Sequence, residues 1–289
     1  MEYLIHILII TGIYIILTLS LNLVVGYTGL ASLGHASFFA VGAYTSSLLA
    51  LRLGVSPLIG LPIGACVACL LGVVIGFPSL RLKGDYLALA TFGSCVIVYS
   101  VAKNWVGLTR GPMGLPGIPQ PTFFFIQFDS LISYLVLVIF FVLVTLFVIR
   151  RIVNSPFGRV LLGIREDEIA TKSLGKDTNR YKILVFVVGA GFAGIAGSLY
   201  AHYITFIDPS SFTVMESILI ILMVVFGGMG SITGSFIGAS ILVILPELLR
   251  FLGMPSSIAA PMRQMIYGAL LVVLMLKRPQ GLVGRYRFK

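Results

Sequence analysis

Charged side chains are scarce in this sequence of 289 residues. Lys, Arg, Asp and Glu make up 10% of it, against roughly 25% in an ordinary soluble domain, and hydrophobic residues make up 58%. This leaves too little polar surface to coat a water-soluble particle, so a lipid bilayer must surround most of the chain. Cysteine is scarce too, since only Cys66, Cys69 and Cys95 occur, all within apolar runs. They predict small packing residues, so neither a metal site nor a cofactor is expected.

Long apolar runs are present instead, and a membrane span needs roughly 20 such residues. Nine segments are candidates, although the seventh and ninth are short enough to be tilted or broken. They cover residues 4–25, 33–52, 57–77, 85–102, 131–149, 183–204, 214–229, 231–249 and 262–276. We therefore expect an all-α fold, a polytopic transmembrane helix bundle of about nine segments, some of them broken or re-entrant. It forms a single transmembrane domain over residues 1–289, with a cytoplasmic segment at 150–182.

Basic residues are distributed unevenly between the predicted loops. With the N-terminus outside, the cytoplasmic loops hold Arg81, Lys83, eight basic residues in 150–182 and five in the tail after residue 276. The opposite face holds the other five of the 20. Because basic loops are retained in the cytoplasm, this distribution predicts an outside N-terminus and a cytoplasmic C-terminus. It also accounts for the net charge of +10, so no nucleic-acid partner is expected.

Two glycine-rich, uncharged stretches interrupt the apolar pattern, at residues 26–35 and 227–238. Irregular backbone survives in lipid only where it is buried in protein or lines a wet cavity, so these stretches are candidate helix breaks along a translocation route. Tight cytoplasmic turns are the alternative. The polar residues that would line or gate such a route are Ser32, His35, Ser37 and Ser231.

Ionisable residues are few inside the predicted spans. Glu216, Glu247 and Asp85 all lie near predicted span ends, and His6 and His202 are too remote from His35 to predict a metal cluster. An ion-driven carrier usually has carboxylates within its central helices. The energy for transport is therefore expected to enter elsewhere in the chain.

The hydrophilic segment 150–182 is the place where that energy can enter. Ser155 is a predicted N-cap, Pro156 a predicted first helical residue and Gly175 a predicted helix stop, which together indicate one short amphipathic helix. The acidic run at 166–168 is either a solvated face or a surface that docks a cytoplasmic partner.

Four blocks resemble the LivM-type permeases of the branched-chain amino acid ABC importers, and the likeness covers nearly the whole chain. They are GLASLGHASFFAVGAY at 29–44, RLKGDYLALAT at 81–91 with LTRGPMGLPGIP at 108–119, the segment 155–175, and the segment 216–238. One glycine-rich block alone would be a weak signal, whereas four in order are specific.

The resemblance implies a permease of the prokaryotic cell (inner) membrane in an ATP-driven importer. In such an importer a second related permease subunit forms the pore as a heterodimer, two cytoplasmic ATP-binding subunits hydrolyse ATP, and an extracytoplasmic substrate-binding protein delivers the amino acid. The permease then contributes no catalytic residues of its own.

The resemblance also implies a set of coupling residues in the hydrophilic segment. An ATPase-docking motif of the Glu-Ala-Ala…Gly kind is similar to this chain at Glu168, Ala170 and Gly175. The neighbouring acids Glu166 and Asp167 complete the candidate set.

The sequence departs from the family pattern at two positions. Thr171 stands where alanine is usual, and Arg110 interrupts an expected Thr-Gly-Gly. Both departures weaken any claim about which substrate is carried. The leading hypothesis is inward transport of leucine, isoleucine or valine by alternating access. A permease for urea or short amides, an ion-coupled secondary carrier and a membrane-embedded enzyme remain as alternatives.

Overall fold

The computed structural model describes residues 2–80, 82, 84–123, 126–127, 130–251, 265–266, 268–270, 272–273, 276–277 and 280–284. Helices dominate this part of the chain, because a helix satisfies its own backbone hydrogen bonds in lipid. They are α1 (Glu2–Thr28), α2 (His35–Leu53), α3 (Pro57–Ser79), α4 (Asp85–Asn104), α5 (Val106–Thr109), α6 (Leu131–Val153), α7 (Pro156–Glu166), α8 (Glu168–Ser173), α9 (Thr178–Ile204), α10 (Val214–Gly227) and α11 (Ile232–Phe251). The strands β1 (Leu115–Pro116), β2 (Thr122–Phe123), β3 (Ile126–Gln127) and β4 (Phe206–Ile207) are confined to loops, so the all-α fold class is confirmed.

Six of the described helices, α1, α2, α3, α4, α6 and α9, are long and apolar enough to cross a membrane. Two shorter apolar helices follow, Val214–Gly227 and Ile232–Glu247. These eight match the first eight predicted spans to within a few residues at each end. Eight of the 15 positions of the ninth, 262–276, are described and are helical, and the other seven lie outside the described residues. The count of nine segments therefore stays a prediction.

Small residues allow α9 to pack closely against α1, α2 and α3. An added Cβ at Gly197 would lie 2.0 Å from the carbonyl oxygen of Phe39 on α2. One at Gly194 would lie 2.6 Å from the Cβ of Ala68 on α3. Lipid provides no hydrophobic drive for helix association, so close backbone contact of this kind holds the helices together.

The helix ends gather at two opposite faces of the bundle. On the strand face, which carries β1 and β4, these strands pair antiparallel, and the Arg52 Nη2 atom donates a hydrogen bond to the carbonyl oxygen of Gly107 at 2.6 Å. On the α7 face, which carries α7 and α8, the amide of Leu282 donates to the carbonyl oxygen of Phe226 at 3.0 Å. α1 starts at the strand face, where His6 Nδ1 lies 2.6 Å from the hydroxyl of Tyr203 just before β4, and it ends at the α7 face, where Arg165 of α7 donates to the carbonyl oxygen of Gly26.

Candidate functional site

The first glycine-rich stretch contains a break between α1 and α2. Gly29, just past the end of α1, has left-handed backbone with a φ of 73°. The Nε2 atom of His35, the first residue of α2, lies 2.8 Å from the Oγ atom of Ser20. Ser20 precedes the end of α1 at Thr28 by about two turns. The start of α2 therefore lies about 12 Å deeper in the bundle than the end of α1 at the α7 face. Residues 29–34 therefore turn back into the bundle.

The second glycine-rich stretch breaks the chain between α10 and α11, and it lies beside the first. The Asn22 side chain on α1 joins the two. Its Oδ1 atom accepts a hydrogen bond from the Gly230 amide at 2.9 Å, and its Nδ2 atom donates to the carbonyl oxygen of Ser231 at 2.9 Å and to the Ser235 hydroxyl at 2.6 Å. An added Cβ at Gly26 would lie 2.5 Å from the Gly230 nitrogen. The tertiary structure thus places both breaks against the same part of α1.

Replacing Asn22 by leucine should lower the thermal stability of the purified chain in detergent. Asn22 is fully buried, and each polar partner that loses its hydrogen bond costs about 1–3 kcal/mol. Asn104→Leu is the matched control, because the exposed Asn104 side chain bonds within α4, to the carbonyl oxygen of Ser100. Equal melting temperatures for the two variants would contradict the structural role of Asn22.

The four polar residues predicted to line or gate a route are all buried in the chain. Ser32, His35 and Ser37 belong to the first stretch, and the Ser37 hydroxyl donates to the carbonyl oxygen of Gly34 at 2.5 Å. Ser231 belongs to the second. Ser32 is buried, with only 2% of its surface exposed, yet its hydroxyl has no hydrogen-bond partner among the described residues. A lining or gating role for these four residues stays a prediction.

The hydrophilic segment folds as two helices, so the prediction of a single helix is wrong. Ser155 caps α7 through its side chain and Pro156 is its first residue, as predicted. Asp167 then adopts extended backbone between α7 and α8. Its Oδ1 atom accepts hydrogen bonds from the amides of Ile169 and Ala170 at 2.8 and 3.0 Å, and this second N-cap starts the second helix.

Glu168 ties α8 to the beginning of α9. One carboxylate oxygen lies 2.6 Å from the Nζ atom of Lys182, whose side chain is 6% exposed, and the other lies 2.9 Å from the Nζ atom of Lys172 and 3.0 Å from the Thr178 hydroxyl. Partial burial by itself raises the pKa of Glu168. The hydrogen bonds from Lys182 and Lys172 outweigh that effect and lower the pKa to about 2. Glu166, by contrast, is exposed at the end of α7.

The stability contributed by Glu168 should be present at neutral pH and lost in acid. Its pKa is lower in the folded chain than its ordinary value of 4.5, so the unfolded chain binds more protons. The stabilisation is complete above an unfolded-state pKa of about 4.5 and disappears as the pH falls towards 2. Wild type should therefore melt above Glu168→Gln at pH 7, with a much smaller difference near pH 3. A pH-independent difference would contradict this account.

Apolar residues are exposed on α8, outside the long apolar helices. Ile169 is 72% exposed and Leu174 is 80% exposed, with Ala170 and Gly175 exposed beside them. An added Cβ at Gly175 would meet nothing within 4 Å. We call these four residues the α8 surface. The exposure of Ile169 and Leu174 makes the α8 surface a candidate for contact with another protein.

Arg165 connects this segment to both breaks. Its Nη1 atom donates a hydrogen bond to the carbonyl oxygen of Gly26, and an added Cβ at Gly230 would lie 2.8 Å from the same nitrogen. Its Cγ atom would lie 3.2 Å from a Cβ added at Gly29. A cavity of about 200 Å³ also lies between the first break and the α7–α8 segment, lined by residues of both. Arg165 thus places α7 in contact with both breaks.

Comparison with protein families gives a match over residues 3–275 to the family described as branched-chain amino acid transport system / permease component. The chain belongs to this permease family. It is similar to the high-affinity branched-chain amino acid transport system permease protein LivM of Escherichia coli (strain K12), with 39% identity over 300 residues, which cover 96% of this chain and 69% of that protein. The resemblance to LivM-type permeases is confirmed, and with its six long apolar helices the permease is a multi-pass membrane protein.

Two further relatives extend this similarity. The probable branched-chain amino acid transport permease protein LivM of Methanocaldococcus jannaschii is 29% identical over 94% of this chain and 90% of its own length. The permease protein LivH of the Escherichia coli (strain K12) high-affinity system is 24% identical over 94% of this chain and 91% of its own. These relatives are transport subunits rather than enzymes. No solved structure matches the permease.

The two departures from the family pattern differ in how well they fit the local structure of the permease. The buried Thr171 hydroxyl donates to the carbonyl oxygen of Asp167 at 2.8 Å and would lie 3.0 Å from a Cβ added at Gly163. Thr171 thus faces α7 and leaves the α8 surface unchanged. Arg110 has a φ of 61°, in the left-handed region that glycine adopts most easily. The expected glycine there fits this backbone better than arginine does.

Sequence reasoning missed several residues that the permease brings together. Asn22 is a lone amide in an apolar helix, and its polarity there was an available signal. Arg165 was counted only as one of many basic residues in a loop. Ile169 and Leu174 looked like ordinary apolar residues of an amphipathic helix, because exposure is fixed only when the segment packs against its neighbours.

Proposed function

We propose that this permease is one of two membrane subunits of an ATP-driven importer, and that it moves leucine, isoleucine or valine inward by alternating access. The similarity to LivM over nearly the whole chain carries the proposal. The weaker similarity to LivH, the other permease of that system, supports a second, related permease as the partner. Two cytoplasmic ATP-binding subunits and an extracytoplasmic binding protein complete the importer.

The proposed orientation has the N-terminus outside and the C-terminus in the cytoplasm of a prokaryotic cell. Eight basic residues between 150 and 182 support it, because basic loops are retained in the cytoplasm. In this orientation the α7 face, with its two helices between membrane spans, meets the ATP-binding subunits.

The α8 surface is the proposed contact with an ATP-binding subunit, and Ala170 and Gly175 are the small residues within it. Ile169 and Leu174 supply apolar area, and the small residues permit close approach. The acidic residues at 166–168 then have separate roles. Asp167 and Glu168 hold α8 in place, and the exposed Glu166 remains available to a basic partner.

Arg165 is the proposed link from this contact to the transport route. A subunit that hydrolyses nothing must receive force through a rigid contact, and Arg165 touches the first break and the end of α1 from α7. Because the two breaks lie together at Asn22, a shift of α7 moves both at once.

Replacing Arg165 by methionine should uncouple the importer without releasing the ATP-binding subunits. Methionine keeps much of the length of the side chain but removes the hydrogen bond to Gly26, so ATP-binding subunits still bind while leucine uptake per ATP hydrolysed falls several-fold. Arg159→Met is the matched control, since Arg159 is exposed on the same helix. An unchanged ratio of uptake to hydrolysis in Arg165→Met would remove Arg165 from the coupling path.

One experiment tests the proposed function directly. The permease is reconstituted in liposomes with its partner permease, its ATP-binding subunits and its binding protein. ATP-dependent uptake of leucine, urea and acetamide is then compared. Uptake of leucine above the other two is expected. Uptake of urea or acetamide alone would replace the proposed cargo, and uptake that follows an ion gradient without ATP would replace the mechanism.

A further inference from the structure

A carboxylate lies at mid-depth in the bundle. Glu216, in the first turn of α10, accepts a hydrogen bond from the Tyr14 hydroxyl at 2.5 Å. Tyr14 is near the centre of α1, about 18 Å from its start at Glu2 and about 21 Å from its end at Thr28. Glu216 therefore lies near the end of its own span, as predicted, but level with the middle of α1.

Glu216 reaches this depth because α10 begins inside the bundle. A 3₁₀ turn, Pro209–Phe212, follows β4 and leads into α10. Phe212 in this turn is buried, and its ring centroid lies 5.1 Å from that of Phe39 on α2. The 14 residues of α10 span about 21 Å, less than the roughly 30 Å of hydrocarbon in a bilayer.

The described residues offer no cation to Glu216. The ion pairs in this part of the chain join Glu168 to Lys172 and Lys182, and Asp177 to Arg180. The Tyr14 hydroxyl is a neutral donor, so its hydrogen bond does not cancel the charge of an ionised Glu216. A carboxylate at mid-depth is costly unless it meets water, a cation or another polar partner.

Glu216 also reaches the surface of the chain. It is partly exposed, as is Tyr14, and its neighbours Met215 and Ile218 on α10 are exposed. Lipid tails solvate a carboxylate poorly, so an ionised Glu216 on this face of α1 and α10 needs water, a cation or another polar group beside it.

We propose that Glu216 binds the ammonium group of the amino acid as it passes through the bundle, with Tyr14 holding the carboxylate in position. This inference rests on the proposed function, because an amino acid is a cargo that carries a cation. The ammonium group donates charge-assisted hydrogen bonds to the Glu216 carboxylate. A single, partly exposed carboxylate binds the cargo weakly enough to release it, which passage through a route requires.

The chain contains a second tyrosine–glutamate pair that serves as a control. The Tyr3 hydroxyl donates to the Glu247 carboxylate, joining the start of α1 to α11. Tyr3 lies about 16 Å from Tyr14 along the axis of α1, towards the strand face. The chemistry is the same as at Glu216, but the depth is that of a helix end, where water can solvate the charge.

The first test compares Glu216→Gln with Glu247→Gln in the complete importer reconstituted in liposomes. Glutamine keeps an acceptor for the tyrosine hydroxyl and removes the charge. We expect leucine uptake per ATP hydrolysed to fall at least tenfold in Glu216→Gln and to remain at the wild-type level in Glu247→Gln. A Glu216→Gln importer that moves leucine as the wild type does would overturn the inference and leave the proposed function intact. Wild type that moves urea or acetamide but no leucine would overturn both.

A second measurement uses the wild-type importer, and its result therefore does not depend on whether the Glu216→Gln variant folds. Dicyclohexylcarbodiimide modifies carboxyl groups in apolar surroundings, and mass spectrometry reports modification at Glu216 and Glu247 in the same digest. Leucine should slow modification of Glu216 alone, and 4-methylpentanoate, which lacks the ammonium group, should not. Equal protection by both compounds, or none by leucine, would show that Glu216 does not recognise the ammonium group.

Discussion

Replacing Gly197 by leucine should prevent the central helices from assembling. A Cβ at this position would lie 2.0 Å from the carbonyl oxygen of Phe39 and 2.9 Å from the amide nitrogen of Ala43. Both atoms belong to the α2 backbone and cannot rotate away, so the two helices must separate. We expect a loss of about 3 kcal/mol or more of stability, measured as the melting temperature and the yield of monodisperse protein in detergent.

Gly93→Leu is the matched control for this variant. Gly93 also lies within a long apolar helix, α4, but nothing lies within 4 Å of a Cβ added there. It therefore tests the loss of a helical glycine without a close contact. If both variants lost equal amounts of stability, the effect would not arise from packing between α2 and α9.

Replacing Ile169 by aspartate should release the ATP-binding subunits from the permease. Ile169 is 72% exposed at the start of α8, and burying a carboxylate in an apolar contact without a cation is costly. The amount of ATP-binding subunit that co-purifies should fall at least tenfold, which corresponds to about 1.4 kcal/mol. Substrate-stimulated ATP hydrolysis should fall with it, while the permease remains inserted and folded.

The control is Met113→Asp, because Met113 is 83% exposed on the strand face, at the opposite end of the bundle. It introduces the same charge on an exposed apolar residue away from the α8 surface. Undiminished co-purification in Ile169→Asp would make α8 an ordinary solvated helix. Equal losses in both variants would indicate a general effect of the added charge.

These tests differ from a substitution at Glu168, which the sequence alone would favour. The resemblance to the ATPase-docking motif includes Glu168, but its carboxylate is paired with Lys182 inside the segment. Glu168→Lys would place a third cation beside Lys172 and Lys182 and disrupt α8 itself. Loss of the ATP-binding subunits would then have two explanations. Ile169 and Leu174 avoid this ambiguity, because their side chains are exposed.

The sequence by itself determined the class of protein and the course of its helices. Apolar runs of roughly 20 residues dictate spans, because each backbone polar group in lipid must bond within its own helix. On α9, helical spacing places Gly189 and Gly197 on one face, and small residues in this pattern favour close packing of helices. Ser155 and Pro156 likewise predicted where α7 begins, because capping depends on local residues alone.

Only the tertiary structure decided what the polar residues contact and how deep they lie. Residues about 200 positions apart in sequence meet at the Asn22–Ser231 and Tyr14–Glu216 contacts, and no local pattern contains that information. Glu216 is two residues from the start of its helix, yet it lies at mid-depth, because the preceding 3₁₀ turn packs inside the bundle. The depth of a residue in a membrane protein depends on where its helix starts in the assembled bundle. A sequence read one span at a time gives only the length of each helix.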